Sequence, residues 1–319
     1  MTRVGVVDLG TNSTRLLVAD VTDGAVTELD RRITITRLGE GVDARRLLLP
    51  TAVARVRNVL ADYRRAIEGY GAEQTLALAT SAVRDAENGE SFLGEIELSY
   101  GFSTRLLSGG EEAMMTFRGV AAGRRLEQRT LVVDVGGGST ELILGGRDGI
   151  EFHESLDLGC VRLTERFLTS DPPTSEELAA CADFVRATLG ERVPGEVHPA
   201  HAIGVAGTIT TLATLDLGLD EEDPDIVHGH GMSAEWIAGE TARLASLPLE
   251  KIRALRGIER ERAPVIVAGA IVVRETLAHF GLEALETSEH DLMHGAALAA
   301  AELPEPEEGD APPGAYTCC

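Results

Sequence analysis

The stretch "LVVDVGGGSTELIL" at residues 131–144 places three consecutive glycines one residue after an aspartate, between two apolar runs. Glycine weakens the interior of a strand, so this run marks a turn where the backbone approaches something closely. A related stretch, "GVVDLGTNSTRLLV", stands at residues 5–18. When it is moved forward by 126 positions, seven of its residues fall on identical residues, with Asp8 on Asp134. The sequence therefore contains the same unusual element twice.

Each copy predicts a strand, a turn, a second strand and then a third strand. An Asp-Gly pair follows the second strand in both copies, at 23–24 and 148–149, and this pair is typical of hairpins. Helices follow each meander. Apolar residues spaced three and four apart from Val53 to Tyr70 predict one helix that ends at Gly71. The stretch "TSEEL" (174–178) predicts a capping box at the start of another helix.

The chain is thus expected to be an α/β protein made of two similar domains, with a cleft between the two equivalent turns. We expect a first domain over 1–120 and a second over 121–302. A C-terminal helix at about 291–302 is expected to pack back on the first domain. The last residues, 303–319, are rich in Pro, Glu and Gly, which predicts a disordered acidic tail.

The composition excludes several classes of protein. The net charge of the 319 residues is −23, which argues against general binding to nucleic acid or to a membrane surface. No apolar run has the length that a membrane span needs. Four cysteines without metal-ligand spacing, and an N-terminus that enters a strand at once, predict a cytoplasmic protein.

The two turns have the composition of phosphate-binding loops. Backbone N–H groups that lack side-chain cover form a nest for phosphate oxygens. The first turn adds polar side chains and the second adds glycines and hydroxyls; the candidate phosphate ligands are Thr11, Asn12, Ser13, Gly137, Gly138, Ser139 and Thr140. An acid beside such a nest repels phosphate unless a cation lies between them, so Asp8 and Asp134 are candidate Mg²⁺ ligands. The alternative is a pair of hairpin turns with capping hydroxyls.

Five motifs together resemble one family. They are "DLGTNSTRLL", "ATSAVRDAEN" (79–88), "LLSGGEEA" (106–113), "VVDVGGGSTEL" and "GVAGTITTLA" (204–213), and they stand in family order. The chain resembles the exopolyphosphatase / guanosine pentaphosphate phosphohydrolase family, which belongs to the acetate kinase–sugar kinase–Hsp70–actin superfamily. The resemblance implies two duplicated actin-like (ribonuclease H-like) domains, in the short two-domain form, and a homodimer.

The resemblance also implies a chemistry. Water removes a terminal phosphate from a phosphoanhydride chain, with Mg²⁺. Glu112 matches the family's catalytic glutamate and Glu141 matches a second glutamate beside the water. Asp134 matches the metal-associated aspartate, and Arg84 matches a phosphate-contacting arginine. Without the resemblance, Glu112 and its neighbour Glu111 could be acids that favour a helix N-terminus.

Three further features carry expectations. Glu141 occupies the position that Arg15 occupies in the first copy, which indicates that the two halves are specialised. Gly207 and Thr208 follow a strand and could hold a second phosphate stretch or a guanosine. His228 and His230 could suggest a metal pair, but the sequence offers no third ligand.

The leading hypothesis for function is an exopolyphosphatase. The alternatives are a pppGpp 5′-phosphohydrolase, a kinase of the same superfamily, and a non-catalytic sensor of polyphosphate or alarmone. Because the overall field of the protein repels long polyphosphate, binding must depend on a local path lined by arginine. The sequence offers Arg31, Arg32, Arg45, Arg46 and the 243–262 segment for that path.

Overall fold

The computed structural model describes residues 1–72, 74–122, 124, 126 and 128–303. The chain divides into two compact units. One unit comprises Met1–Gly123 and Leu292–Cys319, and the other comprises Arg124–Asp291. Apart from Leu303, the predicted disordered tail lies outside the described residues.

The first unit is built on a five-stranded sheet in the order β3-β2-β1-β4-β5. Its strands are β1 (Thr2–Leu9), β2 (Ser13–Thr22), β3 (Ala25–Ile35), β4 (Gln74–Ala79) and β5 (Ser103–Leu106). Strands β1, β2 and β3 form the predicted antiparallel meander, and β4 and β5 continue the sheet in parallel with β1. The polar turns that follow β1 and β4 therefore lie at one edge of the sheet.

Helices cover both faces of this sheet. They are α1 (Val42–Arg45), α2 (Pro50–Tyr70), α3 (Ser81–Asp85), α4 (Gly89–Tyr100), α5 (Gly109–Ala121) and α13 (Leu292–Ala300). Alternate residues of β1 point to opposite faces. Val7 packs in one core with α2 and α4, and Val6 packs in another with α5 and α13. Asp8 shares the second face with Val6.

The second unit repeats this plan. Its six-stranded sheet has the order β10-β11-β9-β6-β7-β8. The strands are β6 (Thr130–Val135), β7 (Thr140–Gly146), β8 (Gly149–Leu156), β9 (His201–Val205), β10 (Gly231–Ser233) and β11 (Ala284–Thr287). Strands β6 to β8 form the same meander, and β9 and β11 extend the sheet in parallel. The antiparallel edge strand β10 has no counterpart among the described residues of the first unit.

The helices of the second unit enclose one large apolar core. They are α6 (Cys160–Phe167), α7 (Ser175–Arg192), α8 (Gly207–Asp216), α9 (Pro224–Val227), α10 (Ala234–Ala245), α11 (Leu249–Ile252) and α12 (Ile266–Phe280). The predicted capping box is present, because the side chains of Thr174 and Glu177 each accept from the other's backbone N–H.

The main elements predicted from the sequence are confirmed, and some details differ. Helix α2 ends at Gly71, which adopts a left-handed φ of 68°. Tyr70, placed on the apolar face of that helix, is instead exposed in the last turn, where its hydroxyl donates to the carbonyl of Leu29. The sequence did not predict helices α1, α3, α4, α6, α9, α10 and α11 or strands β10 and β11. Among the described residues, no helix is long and apolar enough to cross a membrane.

Candidate active site

The first turn (residues 10–13) is held on one side by the segment that follows β3. The carbonyls of Thr11 and Asn12 accept hydrogen bonds from the backbone N–H groups of Gly39 and Arg37, each at 2.8 Å. In a trans peptide the C=O and the next N–H point in opposite directions. The N–H groups of Asn12 and Ser13 are therefore turned away from that segment, towards the opposite side of the turn.

The second turn (residues 136–139) is held in the same way by helix α6. The carbonyl of Gly136 accepts from Cys160 N–H at 3.0 Å, and that of Gly137 accepts from Val161 N–H at 2.9 Å. The carbonyl of Gly138 accepts from the Arg162 side chain at 2.8 Å. The N–H groups of residues 137, 138 and 139 consequently all point away from α6. Three consecutive amides in this arrangement form an anion-binding nest.

The two copies differ in the pair of side chains beside each turn. Asp8 lies opposite Arg15 in the antiparallel register of β1 and β2, and Arg15 Nε donates to Asp8 Oδ2 at 2.8 Å. The equivalent residues of β6 and β7, Asp134 and Glu141, are also directly opposite each other. Both acids are buried, and Ser155 Oγ donates to Glu141 Oε1 at 2.7 Å. The first unit thus carries an ion pair where the second carries two carboxylates.

The hydroxyl of Thr140, directly after the second turn, is already hydrogen-bonded within the protein. Thr140 is fully buried, and its hydroxyl donates to the carbonyl of Leu158 at 2.7 Å. The matching Thr14 makes a hydroxyl–hydroxyl bond of 2.8 Å with Thr36. Both hydroxyls therefore tie the turn to the segment beneath it, which favours a structural role for the Thr140 hydroxyl over the predicted phosphate contact.

Helix α5 begins at a capping box that separates the roles of two neighbouring glutamates. Glu111 accepts from the backbone N–H of Ser108 at 2.9 Å and pairs with Arg105 at 2.6 Å. These contacts, the Ser108 N–H first, lower the pKa of Glu111 to about 2. A carboxylate this acidic is a poor proton acceptor at neutral pH. Glu111 therefore caps the helix, and Glu112 is left as the candidate base.

Glu112 is buried at 7% exposure, and Arg84 lies beside it. Arg84, at the end of α3, donates through Nη1 to the carbonyl of Leu107 at 2.6 Å. The same nitrogen lies 3.4 Å from Glu112 Oε2. The first unit thus brings the predicted phosphate ligand and the predicted catalytic glutamate together, although 28 positions separate them in the chain.

The "GVAGT" turn forms a positively charged corner that includes a residue not selected from the sequence. Gly207 opens α8 after Ala206, which holds an unusual φ of 71°. A Cβ on Gly207 would lie 1.2 Å from Arg262 Nη1, so the guanidinium covers the helix N-terminus. Arg262 is buried and pairs with Glu259 at 3.1 Å. Nothing near Arg262 in the sequence links it to Gly207, which is 55 positions earlier.

Thr208 and Cys160 lie at the same corner. Burial raises the pKa of the Cys160 thiol to about 11, while Arg262 and a hydrogen bond with Thr208 act in the opposite direction. Thr208 also packs closely on Gly269, where an added Cβ would lie 2.5 Å from its hydroxyl oxygen. Thr208 is thus enclosed within the second unit, and Gly207 with Arg262 forms the part suited to an anion.

The carboxylates suit a hard divalent cation unequally. Mg²⁺ is usually held by one or two carboxylates together with water and substrate phosphates. Asp134 and Glu141 supply such oxygens side by side, whereas Arg15 already neutralises Asp8. The described residues contain no group of three or more His, Cys, Asp or Glu that could hold a metal. His230 binds Asp216 at 2.7 Å, and His228 Nδ1 accepts from Glu289 N–H, so these histidines have other partners.

The predicted site residues are therefore distributed over both units. The first unit holds Asp8, Thr11, Asn12, Ser13, Arg84 and Glu112, and the second holds Asp134, Gly137, Gly138, Ser139, Thr140, Glu141, Gly207 and Thr208. Each unit brings its own set to the edge of the sheet where β1 and β4, or β6 and β9, end.

A family model described as the Ppx/GppA phosphatase family matches residues 17–302. The chain belongs to this family. It is 38% identical to exopolyphosphatase 2 of Mycobacterium tuberculosis, over 94% of this chain and 99% of that protein. It is 30% identical to exopolyphosphatase 1 of Mycobacterium bovis, over 93% of this chain and 87% of that protein.

Two solved structures support the same assignment of this Ppx/GppA phosphatase. An exopolyphosphatase-like protein superposes with a TM-score of 0.87 at 32% identity, covering 93% of this chain and 98% of that one. The Ppx/GppA family member of Aquifex aeolicus superposes with a TM-score of 0.80 at 32% identity, covering 94% and 97%. The predicted α/β fold with two actin-like domains is thereby confirmed. The cleft between the two turns stays a prediction.

Proposed function

We propose that this Ppx/GppA phosphatase is an exopolyphosphatase that hydrolyses the terminal phosphoanhydride of inorganic polyphosphate and releases orthophosphate. The observation that carries the proposal is the second turn. Three outward amides of residues 137–139 stand directly beside the carboxylates of Asp134 and Glu141. Such an arrangement binds a phosphate through its oxygens and also supplies groups that hold a cation or a water next to it.

Glu112 is the residue we assign to water activation. In the reaction, the water oxygen forms a bond to the terminal phosphorus while the bond to the bridging oxygen breaks, and the shortened chain leaves on that oxygen. Glu112 accepts the proton that the water loses. Arg84 fixes the orientation of this carboxylate from 3.4 Å and presents its remaining N–H groups to phosphate oxygens.

Mg²⁺ is part of the proposal and suits the donor set of the second unit. When bound, it would neutralise part of the phosphate charge. Asp134 and Glu141 are the residues that would hold it, directly or through water. Asp8 is better suited to orienting Arg15, because their ion pair already occupies one of its oxygens.

The two relatives described above are both named exopolyphosphatases, which favours polyphosphate over pppGpp as the substrate. The test is orthophosphate release by the purified chain with Mg²⁺, using short polyphosphate and pppGpp in parallel at matched concentrations. Release mainly from polyphosphate is expected. Release mainly from pppGpp would assign a guanosine pocket to the Gly207 corner. Binding without release from either substrate would make the chain a sensor.

We include a homodimer and a cytoplasmic location in the proposal. The family resemblance favours the homodimer, and sedimentation of the purified chain tests it. Burial raises the pKa of both Cys160 and Cys181 to about 11, so these thiols stay protonated at neutral pH. Two buried, unlinked thiols are typical of a reducing compartment.

A further inference from the structure

We propose that Arg45 and Arg46 form a subsite for the internal phosphates of a polyphosphate chain whose end is held at Glu112. This inference rests on the proposed function and deepens it by naming the residues that receive the rest of the substrate. It concerns only the first unit, in which all of the residues involved lie.

The candidate arginines differ in whether an acid pairs with them, and this difference distinguishes Arg45 and Arg46, which we call the Arg45/Arg46 corner. Arg31 and Arg32 pair with Glu28 and Asp30, and every arginine of the 243–262 segment also pairs with an acid. Arg45 and Arg46 are exposed, and no acidic side chain within the described residues pairs with either of them. Two adjacent guanidinium groups thus keep their donors for a ligand, on a protein whose net charge is −23.

The backbone at this corner is unusual for arginine. Arg46 caps α1 with a left-handed φ of 56°, a conformation that glycine adopts at much lower cost. Arg37, at the other end of the same loop, has a φ of 49°. A side chain retained at a strained position points to a role for that side chain.

The corner is also fixed in place beside the candidate active site. The carbonyl of Arg46 accepts from Glu87 N–H at 2.8 Å, just beyond α3, which carries Arg84. Leu48 is tied to the Asn88 side chain by bonds of 2.8 and 3.1 Å. At the other end of the loop, Gly39 packs so closely on Thr11 that a Cβ would lie 2.3 Å from its methyl group. The loop therefore spans from the first turn to the Arg84 helix.

Polyphosphate is the occupant that this chemistry fits. Its chain carries a negative charge on each phosphate, and arginine binds phosphate oxygens through two parallel N–H donors. Asp43 lies two positions before Arg45, and Glu87 bonds the Arg46 carbonyl through its backbone N–H. These nearby acids favour a ligand of high charge density over a weakly charged one. A long chain whose end is held at Glu112 has many internal phosphates that can bind this corner, whereas a monophosphate has none and tripolyphosphate has only one.

The test compares the wild type with three variants of the full chain. Arg45→Gln/Arg46→Gln removes both positive charges of the corner. Arg46→Gly removes one charge and relieves the left-handed backbone, so its Tm should equal or exceed that of the wild type. Arg64→Gln/Arg65→Gln is the control, because it removes two adjacent exposed charges of the same unit that already pair with Glu68 and Asp62.

Orthophosphate release is measured with tripolyphosphate and with polyphosphate of tens of residues. For the Arg45→Gln/Arg46→Gln variant, we expect KM for the long chain to rise about tenfold, the loss expected for a charge-assisted contact. KM for tripolyphosphate should change by less than twofold, and kcat should not change. The effect should shrink as salt is added, and the control should match the wild type.

Equal KM changes for both substrates, or no change for the long chain, would overturn the inference while leaving the proposed function intact. If the wild type releases no orthophosphate from either substrate, the proposed function fails and binding decides the inference. Titration of the long chain into each protein should then show weaker binding only for the two corner variants. If the double variant does not fold, Arg46→Gly carries the same test.

Discussion

Asp134 and Glu141 stand directly opposite each other on β6 and β7, whereas the matching residues of the first unit, Asp8 and Arg15, form an ion pair of 2.8 Å. The difference between Arg15 and Glu141 at equivalent positions therefore gives the two turns different local charges. The first half has a neutral pair that keeps a guanidinium in place beside its turn. The second half has two carboxylates beside three outward amides, and we assign it the divalent cation.

Glu141→Gln should raise the Mg²⁺ concentration needed for half-maximal turnover by about tenfold or more, because it removes one of two adjacent carboxylate charges. The Ser155 hydroxyl can still donate to the amide oxygen, so the fold should be retained. Turnover is measured during a Mg²⁺ titration. Asp8→Asn is the control, and its Mg²⁺ requirement should stay close to that of the wild type. An equal shift in both variants would contradict the assignment of the cation to the carboxylates of the second unit.

Glu112→Gln should reduce kcat by a factor on the order of 10² to 10⁴, the usual loss when a general base is removed. Binding of polyphosphate and the Tm should be nearly unchanged, because the amide keeps the shape of the side chain. Glu111→Gln is the neighbouring control and should keep most of the turnover. Near-normal kcat in Glu112→Gln would transfer the role of the base to Glu141.

Glu111→Gln should instead affect stability, in a way that depends on pH. The capping contacts lower the pKa of Glu111 from 4.5 to about 2 in the folded state. Its carboxylate therefore stabilises the fold above pH 4.5, and this contribution is lost as the pH falls towards 2. At pH 7 we expect a loss of about 0.5–1 kcal/mol in the free energy of unfolding. Denaturant unfolding at several pH values should show the gap from the wild type closing below pH 4.5, and a constant gap would argue against this role.

Gly159→Ala should damage the second turn, because the added Cβ would lie 2.2 Å from the carbonyl oxygen of Gly137. The backbone must move, so we expect a loss of about 1–3 kcal/mol in stability and a raised KM for polyphosphate. Gly190→Ala in α7 is a matched control, since its Cβ meets nothing within 4 Å and should stabilise the helix slightly. Unchanged KM in Gly159→Ala would mean that the turn amides do not contact substrate.

Without Arg45 and Arg46, the acidic surface predicts a preference for short chains. In the Arg45→Gln/Arg46→Gln variant the local attraction is gone, and the net repulsion of polyphosphate remains. Added salt should therefore raise kcat/KM for long chains relative to tripolyphosphate in that variant, because it screens the repulsion. Activity assays over a range of NaCl concentrations test this, and a steep fall with salt would contradict it.

The sequence alone was enough to predict the features that depend on local pattern. The repeat around Asp8 and Asp134, the helix that ends at Gly71 and the capping box at Thr174 each combine turn residues with hydrophobic spacing, and all are present. The resemblance to the family added Arg84 and Glu112, which the structure brings to within 3.4 Å of each other. The roles of these residues remain predictions.

Features that depend on distant parts of the chain were not predictable. Arg262 covers Gly207 through the packing of the second unit, and nothing near either residue in the sequence signals that contact. The sequence also offered Arg31 and Arg45 as equal candidates for the substrate path. Only the structure shows that an acid pairs with Arg31 and that the described chain leaves Arg45 without one.

The way in which the two turns are held has a consequence for how far they can diverge. The carbonyls of residues 11, 12, 136 and 137 are bound by main-chain N–H groups of the following segment. Every residue except proline has that group, so positions of the segment other than the close-packed Gly39 and Gly159 can change their side chains without losing these main-chain bonds. The two halves of a duplicated protein can therefore carry different charged side chains around the same backbone. They can take different roles in one reaction without a change of fold.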